Sequence, residues 1–280
     1  MKTFLLILLL IAGTCFSFLS KQQPTRILFN GKNLEGWDTY LGPAFDTVKN
    51  TFAGVAAGLN IDPEQIFSVV QEDGKGALRI SGKRFGGIST IDDFDNYHLR
   101  FEFKWGREKW QPKKNNVRDS GLLYHAVGRH GADGNFWMRS QEFQIQEGDC
   151  GDYWGVAGGV ADIPALKKNK EVYVYDPTAT LRTFSASSES GRRCFKNPDA
   201  EKPSGEWNVV DLYCMGDTSV HVVNQVVNMI LYNLRQEDKG NFTPLNKGKI
   251  QIQSEGAEIF YRNISIVSIR QIPGHIIRSH

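Results

Sequence analysis

Apolar residues recur at every second position in many short segments of the chain, and few stretches carry the three-to-four spacing of an amphipathic helix. The clearest segment is Tyr97-His98-Leu99-Arg100-Phe101-Glu102-Phe103-Lys104-Trp105, whose aromatic residues and Leu99 share one side and whose charged residues share the other. Shorter alternation occurs at Ala77–Ile80, Leu122–Ala126, Glu142–Gln146, Val209–Tyr213, Val220–Val223, Met229–Tyr232, Lys249–Gln253 and Ile259–Ile269. Glycine, asparagine, aspartate and proline punctuate the gaps. Many strands with no regular helices between them argue against βαβ units and predict an all-β fold, a two-sheet antiparallel β-sandwich of jelly-roll type. The stretches 106–118 and 128–139, rich in glycine, arginine and lysine, are too long for hairpin turns and are expected to rim a binding face.

The N-terminus changes where this fold is expected to work. Met1-Lys2-Thr3 is followed by an apolar run from Phe4 to Ala12, then small residues, then a polar start at Lys21. That order predicts a secretory signal peptide over residues 1–20 and leaves 21–280 as one domain. The apolar run is about half the ~20 residues a spanning helix requires, so no membrane span is expected. Cys15 sits where a lipoprotein carries its acylated cysteine, although Ala12-Gly13-Thr14 makes a poor lipobox. The expected location is therefore the periplasm, or the cell surface as an outer-membrane lipoprotein. There, two of Cys150, Cys194 and Cys214 could form a disulfide, or all three could be buried thiols. The formal net charge of +2 comes from interspersed charges, which gives nucleic acid nothing to grip.

Four blocks narrow the reading. They are Leu28-Phe29-Asn30-Gly31-Lys32-Asn33-Leu34-Glu35-Gly36-Trp37; Asp119-Ser120-Gly121-Leu122-Leu123-Tyr124-His125; Glu142-Phe143-Gln144-Ile145-Gln146-Glu147; and a closing set, Gly205-Glu206-Trp207-Asn208, Gly248-Lys249-Ile250-Gln251-Ile252-Gln253 and Tyr261-Arg262-Asn263-Ile264. In order and spacing they resemble the 3-keto-disaccharide hydrolase family. Asp119 stands where that family usually has asparagine, and Glu147-Gly148-Asp149 where it usually has Asp-Asn. The resemblance implies a concanavalin A-like sandwich and a substrate class, oligosaccharides or glycosides whose ring carbon 3 is a ketone. It also implies cleavage by hydrolysis or by elimination, and a separate sugar 3-dehydrogenase upstream that makes the ketone.

A ketone at carbon 3 acidifies the proton on carbon 2, so the site needs a general base and something electropositive beside the ketone oxygen. The candidates for the base are His125 and Glu142. His125 has a suitable ordinary pKa, although a lone histidine on a strand is often a satisfied structural residue. Glu142 and Gln144 share one side of their strand, with Phe143 and Ile145 on the other. For the electropositive partner the candidates are Lys104, Arg118 or a divalent metal, with Asp149 and Asp152 as oxygen donors that match no specific loop. Trp137 and Trp154 are candidate sugar platforms. No nucleotide-binding glycine motif occurs.

Two other classes stay open. The pattern E-x-Q-x-x-E resembles the E-x-D-x-x-E strand of laminarinase-type glycosidases, yet Glu142 and Glu147 lie on opposite strand faces and roughly 16 Å apart unless a bulge intervenes. That spacing disfavours the paired carboxyls of an ordinary endo-glucanase, ~5–9.5 Å apart. A non-catalytic carbohydrate-binding module is the other alternative, since lectins use the same sandwich.

Overall fold

The computed structural model describes residues 24–277, and the expected leader and Cys15 lie outside them. Among the described residues every pairing between two strands is antiparallel, with one isolated parallel bridge between Val174 and Phe195. The larger sheet has twelve strands, and its main path runs Tyr173–Tyr175, Gly159–Lys167, Val226–Asp238, Thr218–Val223, Asn208–Met215, Tyr97–Lys109, Ala257–Ser268, Lys75–Ile80, Phe67–Glu72. The smaller has eight, in the order Arg193–Cys194, Tyr153–Val156, Arg139–Gln146, Asp119–Val127, Lys249–Ser254, Gly86–Thr90, Trp37–Leu41, Gly58–Leu59. Each alternating segment named above falls within one of these strands, except that Ile269 lies one residue beyond the strand Ala257–Ser268.

The core lies between the sheets. Tyr97, Leu99, Phe101, Phe103 and Trp105 are buried on one side of their strand, while Arg100 is exposed on the other. From the smaller sheet, Leu122, Tyr124, Phe143, Ile145, Ile250 and Ile252 meet them. Polar groups seal the contact: the Tyr124 hydroxyl lies 2.8 Å from Ser219 Oγ, and the Ser120 hydroxyl 2.9 Å from that of Tyr261. Burying such side chains stabilises by about 1.5–3 kcal/mol each. A one-residue slip would put a whole row of them in water, so the register is fixed and with it the polar side of each strand.

One position breaks the alternation. If the strand Asp119–Val127 were regular, residues 119, 121, 123 and 125 would share a side. Instead the register shifts between Leu123 and Ala126 against one neighbour and between Tyr124 and Val127 against the other, and His125 has a left-handed backbone, φ 52°. This bulge turns the ring into the core, edge-on to Tyr97 of the opposite sheet and to Tyr124. His125 is wholly buried, and its Nδ1–H donates to the Leu245 carbonyl at 3.1 Å. The candidacy of His125 as the base is therefore corrected, since its ring is buried in the core between the sheets.

Burial lowers the His125 pKa to about 4. Because the folded state binds this proton less readily than the unfolded chain, stability is lost as pH falls from about 6.5 towards 4. The loss amounts to about 3 kcal/mol. Thermal melts at pH 7 and pH 4.5 should show a smaller drop for His125→Leu than for the wild type, with turnover at pH 7 kept. An unchanged pH dependence would refute the buried neutral state. Cys150, Cys194 and Cys214 are all buried free thiols, so the disulfide alternative is not the one realised.

Candidate active site on the eight-stranded sheet

With Phe143 and Ile145 committed to the core, Glu142, Gln144 and Gln146 must face outwards from the smaller sheet. There they line a pocket of 270 Å³ together with Asp119, Gln253, Glu255, Trp154 and residues of the surrounding loops. Cross-strand register brings the walls together: Glu142 lies opposite Trp154 on one side and Leu123 on the other, and Gly121 lies opposite Gln144. A Cβ at position 121 would stand 2.2 Å from Glu142 Oε1 and 2.5 Å from Gln253 Oε1. Glycine there lets these two side chains converge.

The two long loops form the rim, as expected. The loop 110–118 is anchored by Trp110, whose backbone N–H donates to the Gly256 carbonyl at 2.7 Å and whose indole donates to the Ser81 carbonyl at 3.1 Å. It delivers Lys113, which bridges Asp119 and Glu255. The loop 128–138 delivers Asp133 and Trp137, whose indole donates to the Gly86 carbonyl at 3.0 Å. Arg192 reaches the pocket from another loop and lies 3.8 Å from Asp133.

Asp119 and Glu255 thus share one half-buried ammonium, with the Glu142 carboxyl in the same pocket. Burial alone would lower the Lys113 pKa, but Glu255 and Asp119 outweigh it and push it up to about 12. For the acids burial wins. Glu142 is pushed well above the usual carboxylate range by burial, then by the charges of Glu255 and Asp119, while Lys113 and Arg192 pull the other way. Burial also raises Asp119, and burial together with the Asp119 charge raises Glu255. Gln144 donates to Asp119 at 3.2 Å. Gln144 Oε1, Gln253 Oε1 and Trp154 Nε1 are buried without a protein partner. Such atoms cost about 1–3 kcal/mol each when unpaired, so a polyhydroxylated ligand gains by bonding to them.

The structure divides the sequence candidates. Glu142, Gln144, Trp137 and Trp154 meet in this pocket. Lys104, Arg118 and Glu147 do not. The Lys104 strand belongs to the other sheet, where Lys104 pairs with Glu72 and Asp73 and lines a different cavity with Arg118. Arg118 precedes Asp119 and so points the opposite way; it binds Glu147 at 3.0 Å and the Gly106 carbonyl at 3.0 Å. Glu147 lies just beyond the strand that ends at Gln146, where the face has reversed. Asp149 and Asp152 flank Arg193, at 2.8 and 2.6 Å, so a guanidinium stands where an oxygen-bound cation was considered. Among the described residues, no three His, Cys, Asp or Glu side chains form a metal-binding group. Lys113, Glu255, Asp133 and Arg192 were not foreseen. The prediction that both long loops rim the site pointed towards Lys113 and Asp133; nothing in the sequence pointed to Glu255 or Arg192.

A family model described as a 3-keto-alpha-glucoside-1,2-lyase-like domain matches residues 24–267. The chain belongs to this family. The match takes in both sheets and every residue of the pocket. No curated protein matches. Among solved structures, a candidate glycosyl hydrolase from Parabacteroides distasonis is 19% identical, covering 88% of this chain and 100% of that one at a TM-score of 0.49. Another from the same organism is 16% identical, covering 88% and 94% at 0.46. A β-glucanase from Bacillus licheniformis is 10% identical, covering 90% and 100% at 0.40.

Proposed function

We propose that the Glu142 pocket takes a glycoside oxidised to a ketone at ring carbon 3 and cleaves it by elimination. One observation carries this reading: a buried glutamate whose carboxyl makes no hydrogen bond to the described residues lies in a pocket with Lys113 and Arg192. Its raised pKa suits a base, because a more basic carboxylate has a larger driving force for taking a proton.

Glu142 removes the proton on carbon 2. The electron pair of that C–H bond forms an enolate, whose oxygen is the former ketone oxygen, and Lys113 and Arg192 supply the positive charge that stabilises it. The enolate collapses to a double bond between carbons 1 and 2, and the C1–O bond breaks with its electrons leaving on oxygen. The departing oxygen then takes a proton, and water adding to the unsaturated product completes a net hydrolysis. Trp137 and Trp154 offer aromatic surface for the sugar, and Gln144 and Gln253 offer hydrogen bonds to its hydroxyls. The ketone is the product of a sugar 3-dehydrogenase on another protein, and the leader read over residues 1–20 would place the cleavage outside the cytoplasm.

The carboxyl cluster itself favours one other reading, a conventional glycosidase using Glu142 with Glu255 or Asp119. The deciding experiment incubates the protein with an aryl glucoside and with its 3-keto derivative. Release of the aryl group from the keto compound alone is expected. Comparable release from the unoxidised glucoside would favour the conventional reading, and release from neither would favour a binding module.

A further inference from the structure

A groove of 710 Å³ lies at the edge of the twelve-stranded sheet, between the turn that carries Asp217, the strand Val226–Asp238 and the exposed strand Asn241–Pro244. None of its residues lines the Glu142 pocket. We propose that it is a second carbohydrate-binding site, for a neutral pyranose chain.

The first argument is the aromatic wall. Phe242 is 53% exposed, although burying such a ring would stabilise the fold by about 1.5–3 kcal/mol. A single exposed phenylalanine is ordinary, but this one stands over a polar floor. The Arg235 guanidinium lies 5.6 Å from its ring centre and is held by Asp162 at 2.9 Å. Asp162 also accepts from Asn233 at 2.8 Å. Asn233 has φ 51° and lies where the pairing with the strand Gly159–Lys167 loses register, an irregularity of the kind that re-aims side chains.

The second argument is the polar inventory. Among the described residues the Asp217 carboxylate accepts only a 3.4 Å hydrogen bond, from the Thr218 hydroxyl, and the Asn246 side-chain amide has no partner. An apolar ring face beside an open carboxylate and an open amide suits a sugar, whose C–H face stacks while its hydroxyls donate and accept. Two carboxylates against one guanidinium make the groove net negative, which disfavours polyanionic glycans.

Native electrophoresis through gels containing laminarin, barley β-glucan, dextran or galactomannan, with alginate as the anionic comparison, tests the proposal. At least one neutral polysaccharide should slow migration and alginate should not. Phe242→Ala should weaken that retardation about tenfold, Phe242→Trp should keep it, and Asp217→Ala should weaken it with an unchanged melting temperature. Trp154→Ala, which removes an aromatic sugar surface of the Glu142 pocket and lies outside the groove, should leave it intact, which separates this groove from the pocket. No retardation by any neutral polysaccharide, equal retardation by alginate, wild-type behaviour of Phe242→Ala, or loss in Trp154→Ala would each overturn it.

Discussion

Glu142→Gln is expected to lower turnover of a 3-keto-glycoside by about 10²–10⁴-fold, the contribution of a positioned general base, with substrate affinity largely kept. Glutamine keeps the shape and polarity of the side chain but cannot accept the proton. The fall should therefore appear in kcat and kcat/KM together, the pattern of an interaction made only in the transition state. Folding should not suffer. The wild-type carboxyl is held well above its usual range by burial and by Glu255 and Asp119, so exchanging it for a neutral amide removes a repulsion. Deuterium at carbon 2 should slow the wild-type enzyme wherever proton removal limits the rate. A Glu142→Gln protein with full turnover would take the base role away from Glu142.

The second large effect is expected at Lys113. Its ammonium favours the anionic forms of Asp119, Glu142 and Glu255, so in Lys113→Ala all three acids hold their protons to higher pH. Two consequences share one sign. Glu142 acts as base only when ionised, so the acid limb of the kcat/KM profile should move to higher pH and activity at a fixed neutral pH should fall. Stability should fall too. The folded state of the variant binds these protons more tightly than the unfolded chain does, so its stability is best below the ordinary carboxylate range and is lost as pH rises through the raised values. Removing one partner of a fully buried ion pair costs about 3–5 kcal/mol; the Lys113 side chain is 25% exposed, which points to the lower end. Melts from pH 4 to pH 9 should show the deficit widening with pH, and Lys113→Arg should recover part of it. A deficit equal at every pH would mean that Lys113 acts through packing alone.

The pattern along the chain determined the two-sheet architecture because side-chain alternation is local. A strand such as Tyr97–Trp105 can bury its aromatic residues in only one way, and Glu142 and Gln144 then have to face out. The same local rule failed where the backbone left the regular strand. At His125 a bulge in the pairing to both neighbours reverses the side chain, and a positive φ on a non-glycine residue leaves no mark in one sequence. Lys104 misled for a different reason: alternation tells which residues share a side of a strand, not which sheet the strand joins. The sequence by itself therefore determined the regular strands, their inner and outer faces and the outward row of Glu142 and Gln144. Only the tertiary structure decided which outer face is the pocket. That pocket is assembled from positions as far apart as Lys113, Glu142, Arg192 and Glu255, brought together by sheet order and by two loops whose course depends on long-range anchors at Ser81, Gly86 and Gly256.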